Sequence, residues 1–578
     1  MKEQTLRHDP IRLELIKNAL GSVVDEMVLT VVRIAYSSIM KDTMDLSSAY
    51  FDRHGRMIAQ GLSVPLHLGS FPDAVDAVRE AFGGNLVPGD VVILNDPYHG
   101  GMHLPDIFMV KPVFIGDVHF GYAVIVAHHN DVGGRVPGSS AADSTEIFQE
   151  GLRIPPAKLY EAGRLNDALI KLIRLNVRVP DTVAGDLDAQ LAACRIAERG
   201  VLELVQRYGI EELEESFEQL LDYSERLTRA AIRELPDGCY RFQDHLDDDG
   251  VNPGTPVRIA LALTIDGDRV SADFTGSSPQ VAGAINATCS FTKSAVYFAI
   301  RSIIKGDVPN NSGYFRPIEV IAPEGTVLNP RVPAACAARG VTGFRVIDTM
   351  FGALAQVVPD RVRAAGEGGT TSYSLASHDA DGQFNLFREA VMGAWGAGRD
   401  WDGVDGVANA AANISNAPAE LVEHQAPVVI ERYALARDSG GAGRKRGGMA
   451  VERQFRILSD RASLQLRSDR REHPPYGIDG GASGAPSKTW ISDGDNWQLM
   501  PTKFVKPLRA GQRVRHVTAG GGGFGNPAER DAERVLRDVR DGKVSVEAAR
   551  QTYCVEILTC PWRIDEAATQ ALRSQVSA

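Results

Sequence analysis

Apolar residues at Leu13, Ile16, Leu20, Val23, Met27, Val31 and Ile34 recur three or four positions apart, which lines one face of a helix. The spacing predicts a helix over residues 10–40, capped by Asp9 and with Pro10 in its first turn. The pattern then shortens. Residues 48–51, 91–94, 108–114 and 120–126 are apolar runs bounded by Gly, Asp and Pro, the mark of buried strands. Helical Leu/Ala/Ile periodicity, set among many Glu and Arg, returns over 164–233. Strand-like alternation resumes over 238–273, clearest at 257–264 and 269–274. The Gly/Ala-rich middle, 283–412, carries helices around 294–304 and 343–358. Residues 428–517 are again strand-rich, and 530–551 read as helix–turn–helix. No internal repeat is visible. The mixture predicts an α+β or mixed α/β multidomain protein of mixed sheets and packed helices, not a simple barrel or Rossmann fold. Four regions are expected: 1–235 (helix, strands, helical segment), 236–425 (mixed α/β), 426–526 (strand-rich) and 527–578 (helical tail).

Composition narrows the class. The chain has 578 residues, 44% hydrophobic and 24% charged, as soluble globular proteins do. That length buries several cores without disulfide help. The six cysteines, Cys194, Cys239, Cys289, Cys336, Cys554 and Cys560, form no C-x-x-C pair. This argues against a disulfide framework or a zinc ribbon and fits a reducing compartment. A formal charge of −12 disfavours nonspecific binding to nucleic acid or an anionic membrane. The charged start, MKEQTLRHDP, is unlike a signal peptide, and no apolar run approaches the ~20 residues that span a bilayer. A cytoplasmic protein is expected.

The densest polar cluster lies between Asn95 and Gly134: NDPYHGGMHLPDIF, a strand hairpin, then AHHNDVGG. Of thirteen histidines in the chain, His99, His103, His119, His128 and His129 fall in this window. His103 and Asp106 bring an imidazole close to a carboxylate, and Pro105 favours an extended loop over a helix. His128 and His129 end the strand at 124–127. Successive strand side chains point to opposite faces, so only one of the pair easily joins a site with His103. Neutral imidazole with carboxylate suits Zn, Mn or Fe(II) and leaves room for water. A divalent metal lowers the pKa of bound water and polarises a carbonyl oxygen, and both effects help hydrolyse an amide. The alternative reading is hydrogen-bonded turn histidines beside strands, and no H-E-x-x-H signature decides between them.

At these residues the chain resembles a known family. NDPYHGGMHLPD followed by AHHNDVGG looks like the hallmark of the hydantoinase B/oxoprolinase family, which includes large subunits of acetone-type carboxylases. The upstream MDLSSAYFDRHGRMIAQG and VPLHLGS, the later GAGRKRGGMAVER at 441–453 and the tail from Gly520 to Val555 are similar to that family in the same order. The resemblance runs essentially end to end and implies a hydantoinase B-like fold. It also implies a site for one divalent metal (Zn, Mn or Fe) built from Asp45, His103, Asp106 and His128. His129, Asp131 and His99 are then proton-transfer or supporting candidates, or else structural. His67, in VPLHLGS, either lines the pocket or fixes a turn. Two departures stand out. Tyr553-Cys554-Val555 has cysteine where the family usually has glycine, and Met44-Asp45-Leu46 lacks the more usual aromatic after the aspartate.

The glycine clusters 366–369, 440–443 and 520–525 do not read G-x-x-x-x-G-K-[ST], and none opens a helix in a clear βαβ unit. Turns or close backbone packing are expected of them. The family reaction consumes ATP, so the resemblance implies a separate hydantoinase A-type, actin-like ATPase partner, by analogy in a heterotetramer. It suggests that the partner phosphorylates the amide oxygen of a cyclic amide (5-oxoproline, hydantoin or another lactam). Loss of amide resonance then lets this chain hydrolyse the ring, with Asp131 or His129 moving protons to the ring nitrogen. Two other functions remain open: a subunit of an acetone/acetophenone-type ATP-dependent carboxylase, and a noncatalytic scaffold for the ATPase partner. The chain is short for an acetone-carboxylase large subunit. Bicarbonate dependence would mark the carboxylase, and absence of stoichiometric metal the scaffold.

Overall fold

Near-continuous apolar strands need a cover on each face of their sheet, and the computed structural model of this chain supplies both covers. It describes residues 10–61, 64–367, 371–378 and 382–576. Asp9, the expected helix cap, and two glycines of the 366–369 cluster, Gly368 and Gly369, lie outside them. The apolar runs form β1 (Leu46–Asp52), β2 (Met57–Gln60), β3 (Val91–Leu94), β4 (Asp106–Ile115) and β5 (Val118–His128), extended by β6 (Ala157–Glu161) and β7 (Arg164–Leu165). These pair antiparallel in the order β2-β1-β5-β4-β3-β6-β7.

Leu46, Tyr50, Ile93, Ile107, Met109, Ile125 and Ala127 share one apolar core with helices Pro10–Ile34, Pro180–Tyr208 and Ile210–Ile232. The alternate residues Ala49, Phe51, Leu94, Phe108, Val110, Val124 and Val126 belong to a second core. That core includes helices Phe71–Phe82, Cys289–Ile303 and Gly340–Leu354. It also takes in the inner face of a four-stranded sheet: β8 (Gly238–Leu246), β9 (Val257–Asp266), β10 (Arg269–Asp273) and β11 (Ile318–Ile321), in order β11-β10-β9-β8. This core therefore runs across residues 235 and 236, joining the first two expected regions.

The N-terminal helix buries Leu13, Ile16, Leu20, Met27 and Val31 as its spacing predicts, but it stops at Ile34, which is 47% exposed. The backbone N–H groups of Tyr36 and Ser37 turn away to donate to Asp186 Oδ1 at 2.7 and 3.1 Å. A distant carboxylate thus draws the chain out of the helix, and only the short helix Ser38–Lys41 follows. The helical stretch after residue 164 is likewise divided, at Pro180 and at Gly209, whose φ of +84° favours glycine.

The strand-rich region contains β12 (Thr371–His378), β13 (Phe384–Val391), β14 (Val428–Leu435), β15 (Val451–Ile457), β16 (Ala462–Arg467), β17 (Lys488–Asp493), β18 (Asn496–Leu499), β19 (Lys503–Leu508) and β20 (Arg513–Val517). They make two sheets, β13-β12-β16-β19 and β14-β15-β20-β17-β18, around a third core. Helices Ala532–Arg540, Val546–Gln551 and Glu566–Val576 form the tail. The glycine clusters pack backbone on backbone. A Cβ on Gly520 would stand 1.8 Å from the Ser439 carbonyl oxygen, and one on Gly447 1.9 Å from that of Gly521. Among the described residues, no helix is long and apolar enough to cross a membrane.

Candidate metal centre

Antiparallel pairing gathers the site at one end of three neighbouring strands. β1 begins at Leu46 opposite Ala127 of β5, so Asp45 lies beside the end of β5, and the His128 N–H donates to the Asp45 carbonyl at 3.1 Å. Across the other side of β5, His128 is in register with Asp106, the first residue of β4. By alternation Asp106 and His128 share the face of Phe108 and Val126, toward the second core, while His129 turns to the opposite face. His103 enters from the turn before β4, and His67 from the short helix Pro65–His67. Met44, just before Asp45, holds φ at +57°, a left-handed conformation that side chains seldom adopt and that clusters at functional sites.

Three donor atoms form a tight triangle. His103 Nε2 is 2.9 Å from Asp106 Oδ1, His128 Nδ1 is 2.7 Å from the same oxygen, and the two imidazole nitrogens are 3.2 Å apart. All three residues are buried. Asp45 stands farther out, with Oδ2 4.0 Å from His128 Nδ1, and His67 Nε2 is 4.0 Å from Asp106 Oδ2. The Nδ1–H of His103 donates to the Ala337 carbonyl at 3.1 Å. A carbonyl only accepts, so neutral His103 carries its hydrogen on Nδ1 and presents a bare Nε2 to the Asp106 carboxylate. Two acceptors 2.9 Å apart repel unless a cation lies between them. Donors on two bonds of about 2.1 Å at right angles stand about 3.0 Å apart, so the triangle fits a divalent transition metal.

The electrostatics suit that use. Burial, helped by the nearby Arg339 guanidinium, pushes His103 down to about 4. Burial, helped by Arg388, does the same to His128, and burial pushes His67 down to about 4 as well. At neutral pH all three imidazoles have free lone pairs. Burial opposes ionisation of Asp106, but the Arg339 guanidinium and the His128 hydrogen bond hold its carboxyl well below the usual range. Burial raises Asp45, against the pull of His128. Asp45, His67, His103, Asp106 and His128 line a cavity of about 90 Å³ whose other walls include Val64, Leu66, Phe291, Phe344, Met392 and Ile414.

The remaining expected residues lie apart from this triangle. His129 is fully buried and its Nε2 is 3.0 Å from Gln190 Oε1 on helix Pro180–Tyr208. Asp131 accepts from the backbone N–H groups of Gly133, Gly138 and Arg178 and pairs with the Arg178 guanidinium, which locks the loop after β5. His99 is largely exposed, pairs with Asp96 at 2.9 Å, and lines a separate cavity of about 770 Å³. His119 Nε2 donates to the Gly121 carbonyl near the hairpin turn, at the far end of β5. His67 does both things expected of it, lining the cavity while its Nδ1 meets Ser47 Oγ at 2.8 Å.

Sequence reasoning missed the cations. Arg339 pairs with Asp106 and lies over the Phe291 ring, 4.1 Å from its centroid. Arg467 lines the cavity from β16, and Arg388 approaches from β13. Each is a lone arginine far downstream, and no local motif marks it. Glu150 was missed too. Its Oε1 accepts from the N–H groups of Cys336 and Ala337, both at 2.8 Å, and so holds the turn whose Ala337 carbonyl orients His103.

The hydantoinase B/oxoprolinase family model matches residues 9–527. The B-type subunit of a putative D-/L-hydantoinase from Pseudomonas sp. (strain NS671) is 35% identical over 98% of this chain and 98% of its own length. The beta-type subunit of caprolactamase from Pseudomonas jessenii is 34% identical over 98% of this chain and 99% of its own. The crystal structure of ATP-dependent caprolactamase from Pseudomonas jessenii superposes with a TM-score of 0.91 at 33% identity, covering 98% of this chain and 100% of that one. Nucleotide-free acetone carboxylase gives a TM-score of 0.93 at 20% identity over 99% of this chain and 84% of that one, a likeness of fold alone.

Proposed function

This chain belongs to the hydantoinase B/oxoprolinase family, and from that premise we propose that it is the metal-dependent hydrolytic subunit of an ATP-dependent cyclic-amide amidohydrolase. A separate hydantoinase A-type ATPase partner activates the substrate, and this chain opens the ring. Relatives named as single subunits of larger enzymes support a partner, and those named hydantoinase and caprolactamase support a cyclic amide. The observation that carries the reading is the confrontation of His103 Nε2 with Asp106 Oδ1, two lone pairs 2.9 Å apart that a cation reconciles, with His128 Nδ1 within 3.2 Å of both.

His103, Asp106 and His128 hold one divalent cation (Zn, Mn or Fe(II)), and Asp45 completes the set from the start of β1. When bound, the cation acidifies water and polarises the carbonyl of the activated amide. The Ala337 carbonyl fixes the His103 tautomer, and Glu150 fixes that carbonyl. Val64, Leu66, Phe291 and Phe344 exclude bulk water and receive ring methylenes. His67, neutral and hydrogen-bonded at Nδ1 to Ser47, presents its Nε2 edge on the cavity wall as a hydrogen-bonding group that orients the substrate. His129 and Asp131 hold the strand end and the following loop.

The test uses the two-subunit complex with ATP on 5-oxoproline, hydantoin and caprolactam. Removing metal with a chelator is expected to stop ring opening, and adding back Zn, Mn or Fe(II) to restore it without bicarbonate. Full activity in the metal-stripped complex would overturn the proposal, and a bicarbonate requirement would turn it toward carboxylation.

A further inference from the structure

The sheet β13-β12-β16-β19 has two unlike faces, and the polar one looks toward the metal centre. Tyr373, Leu375, Phe387, Leu464 and Leu466 enter the third apolar core. Their neighbours alternate to the other side. There, Ser372 lies in register with Ala390 and Arg467, and Ser374 with Arg388 and Gln465. Ala390 and Arg467 from this face line the cavity that holds His103, Asp106 and His128.

The cations on this face are under-partnered. Arg467 Nη1 donates to the Ala337 carbonyl at 3.0 Å, while its Nε is withdrawn from solvent without a partner. Arg388 Nη2 donates to Ser140 Oγ at 2.8 Å, and its Nε and Nη1 are withdrawn without partners. Among the described residues neither forms an ion pair. Arg339 spends one arm on Asp106 and leaves Nε unpaired. Three guanidiniums thus face Asp45 and Asp106 beside neutral histidines, while Asp131, which also acts on Arg388, is committed to an ion pair with Arg178. A divalent cation in the triangle widens that positive excess. Burial together with repulsion from Arg388 and Arg339 already pushes Arg467 down to about 9. Withdrawn guanidinium donors without an acceptor are unfavourable, and a planar fork is the side chain best matched to an oxyanion.

We propose that Arg388 and Arg467, with Arg339, form an oxyanion subsite that takes an anionic oxygen-acid group of the substrate beside the metal centre. The group is either the phosphoryl carried by the activated amide or a carboxylate on the ring. The substrate's identity rests on the function proposed above, whereas anion binding itself does not. The subsite places the anion where the cation excess is greatest, and so orients the neighbouring carbonyl carbon toward the metal triangle. The arginines are positioning and specificity residues, and the lone-pair donors remain the metal ligands.

The test titrates the full-length chain, with metal content checked by mass spectrometry, with three probes: inorganic phosphate, 5-oxoproline, and 2-pyrrolidinone, the same ring without the carboxylate. Arg467→Gln and Arg388→Gln are expected to weaken phosphate or 5-oxoproline binding by about tenfold or more, with metal content and melting temperature kept. Loss confined to phosphate assigns the subsite to a phosphoryl group. Loss confined to 5-oxoproline, with 2-pyrrolidinone unchanged, assigns it to a carboxylate. Should a glutamine variant fold poorly, Arg467→Lys keeps the charge but not the fork, and is expected to bind the anion more weakly than wild type. Metal-loaded variants that bind both anions as tightly as wild type, or a wild type that binds neither, would overturn the subsite. A wild type that binds anions but no metal would instead count against the proposed function alone.

Discussion

Asp106 is the residue on which the site's charges converge, since His103, His128 and Arg339 all reach its carboxylate. Behind it, Glu150 controls His103 at one remove, holding the backbone of Cys336 and Ala337 whose Ala337 carbonyl accepts from His103. Burial pushes the Glu150 carboxyl up to about 8, against the pull of the two N–H groups. The folded protein therefore holds this proton where the unfolded chain, near 4.5, has released it. The stability it contributes is complete below pH 4.5 and is lost as pH rises through about 8. Glu150→Gln keeps an acceptor for the peptide but no titration. Urea unfolding at several pH values should then show a decline between pH 5 and 8 in wild type that is shallower in the variant, by up to about 1.4 kcal/mol per unit. Identical pH slopes would remove Glu150 from this role. At this scale the sequence was only partly legible. His103 and Asp106 stand out as a polar knot between apolar strands, but the choice of His128 over His129 and the inclusion of Asp45 emerged only through resemblance, and Arg339, Arg388, Arg467 and Glu150 carry no local signal because distant segments bring them in.

At the scale of elements, strand alternation did most of the sorting. His128 and His129 are consecutive, and the pleat sends them to opposite faces of a sheet covered on both sides. His129 meets Gln190, whose Nε2 also donates to the Ile107 carbonyl at 2.9 Å. Gln190→Leu strands both partners in the core and should cost about 1–3 kcal/mol of stability, read as a lower urea midpoint. Metal content should remain that of wild type. Loss of metal in that variant would return His129 to the centre. Strands β3, β4 and β5 were legible because apolar runs bounded by Gly, Asp and Pro have few other uses. The end of the first helix was not, because Asp186, far along the chain, terminates it. Likewise, alternation in β13 and β16 shows which residues share a face, but not that the polar face meets the metal centre.

At the scale of the molecule, two sheets and a helix converge on one cavity. The first sheet brings Asp45, Asp106 and His128, and the β13-β12-β16-β19 sheet brings Arg467. Helix Gly340–Leu354 begins there, with Arg339 just before it. A buried ion network ties these parts together. Arg345 and Arg470 bridge Asp244 at the end of β8, Asp348 on that helix and Asp469 beyond β16. The mixed α/β class followed from alternating periodicities along the chain, whereas convergence of the sheets did not, since it rests on pairings between residues far apart in sequence. The central claim is that the triangle at this junction binds a catalytic metal. Its most direct measurement is metal content by mass spectrometry on the two-subunit complex, wild type and His103→Ala, alongside lactam ring opening with ATP. The account predicts about one divalent metal per chain in wild type, with metal and activity lost together in His103→Ala. A His103→Ala complex that keeps its metal and its activity would contradict it.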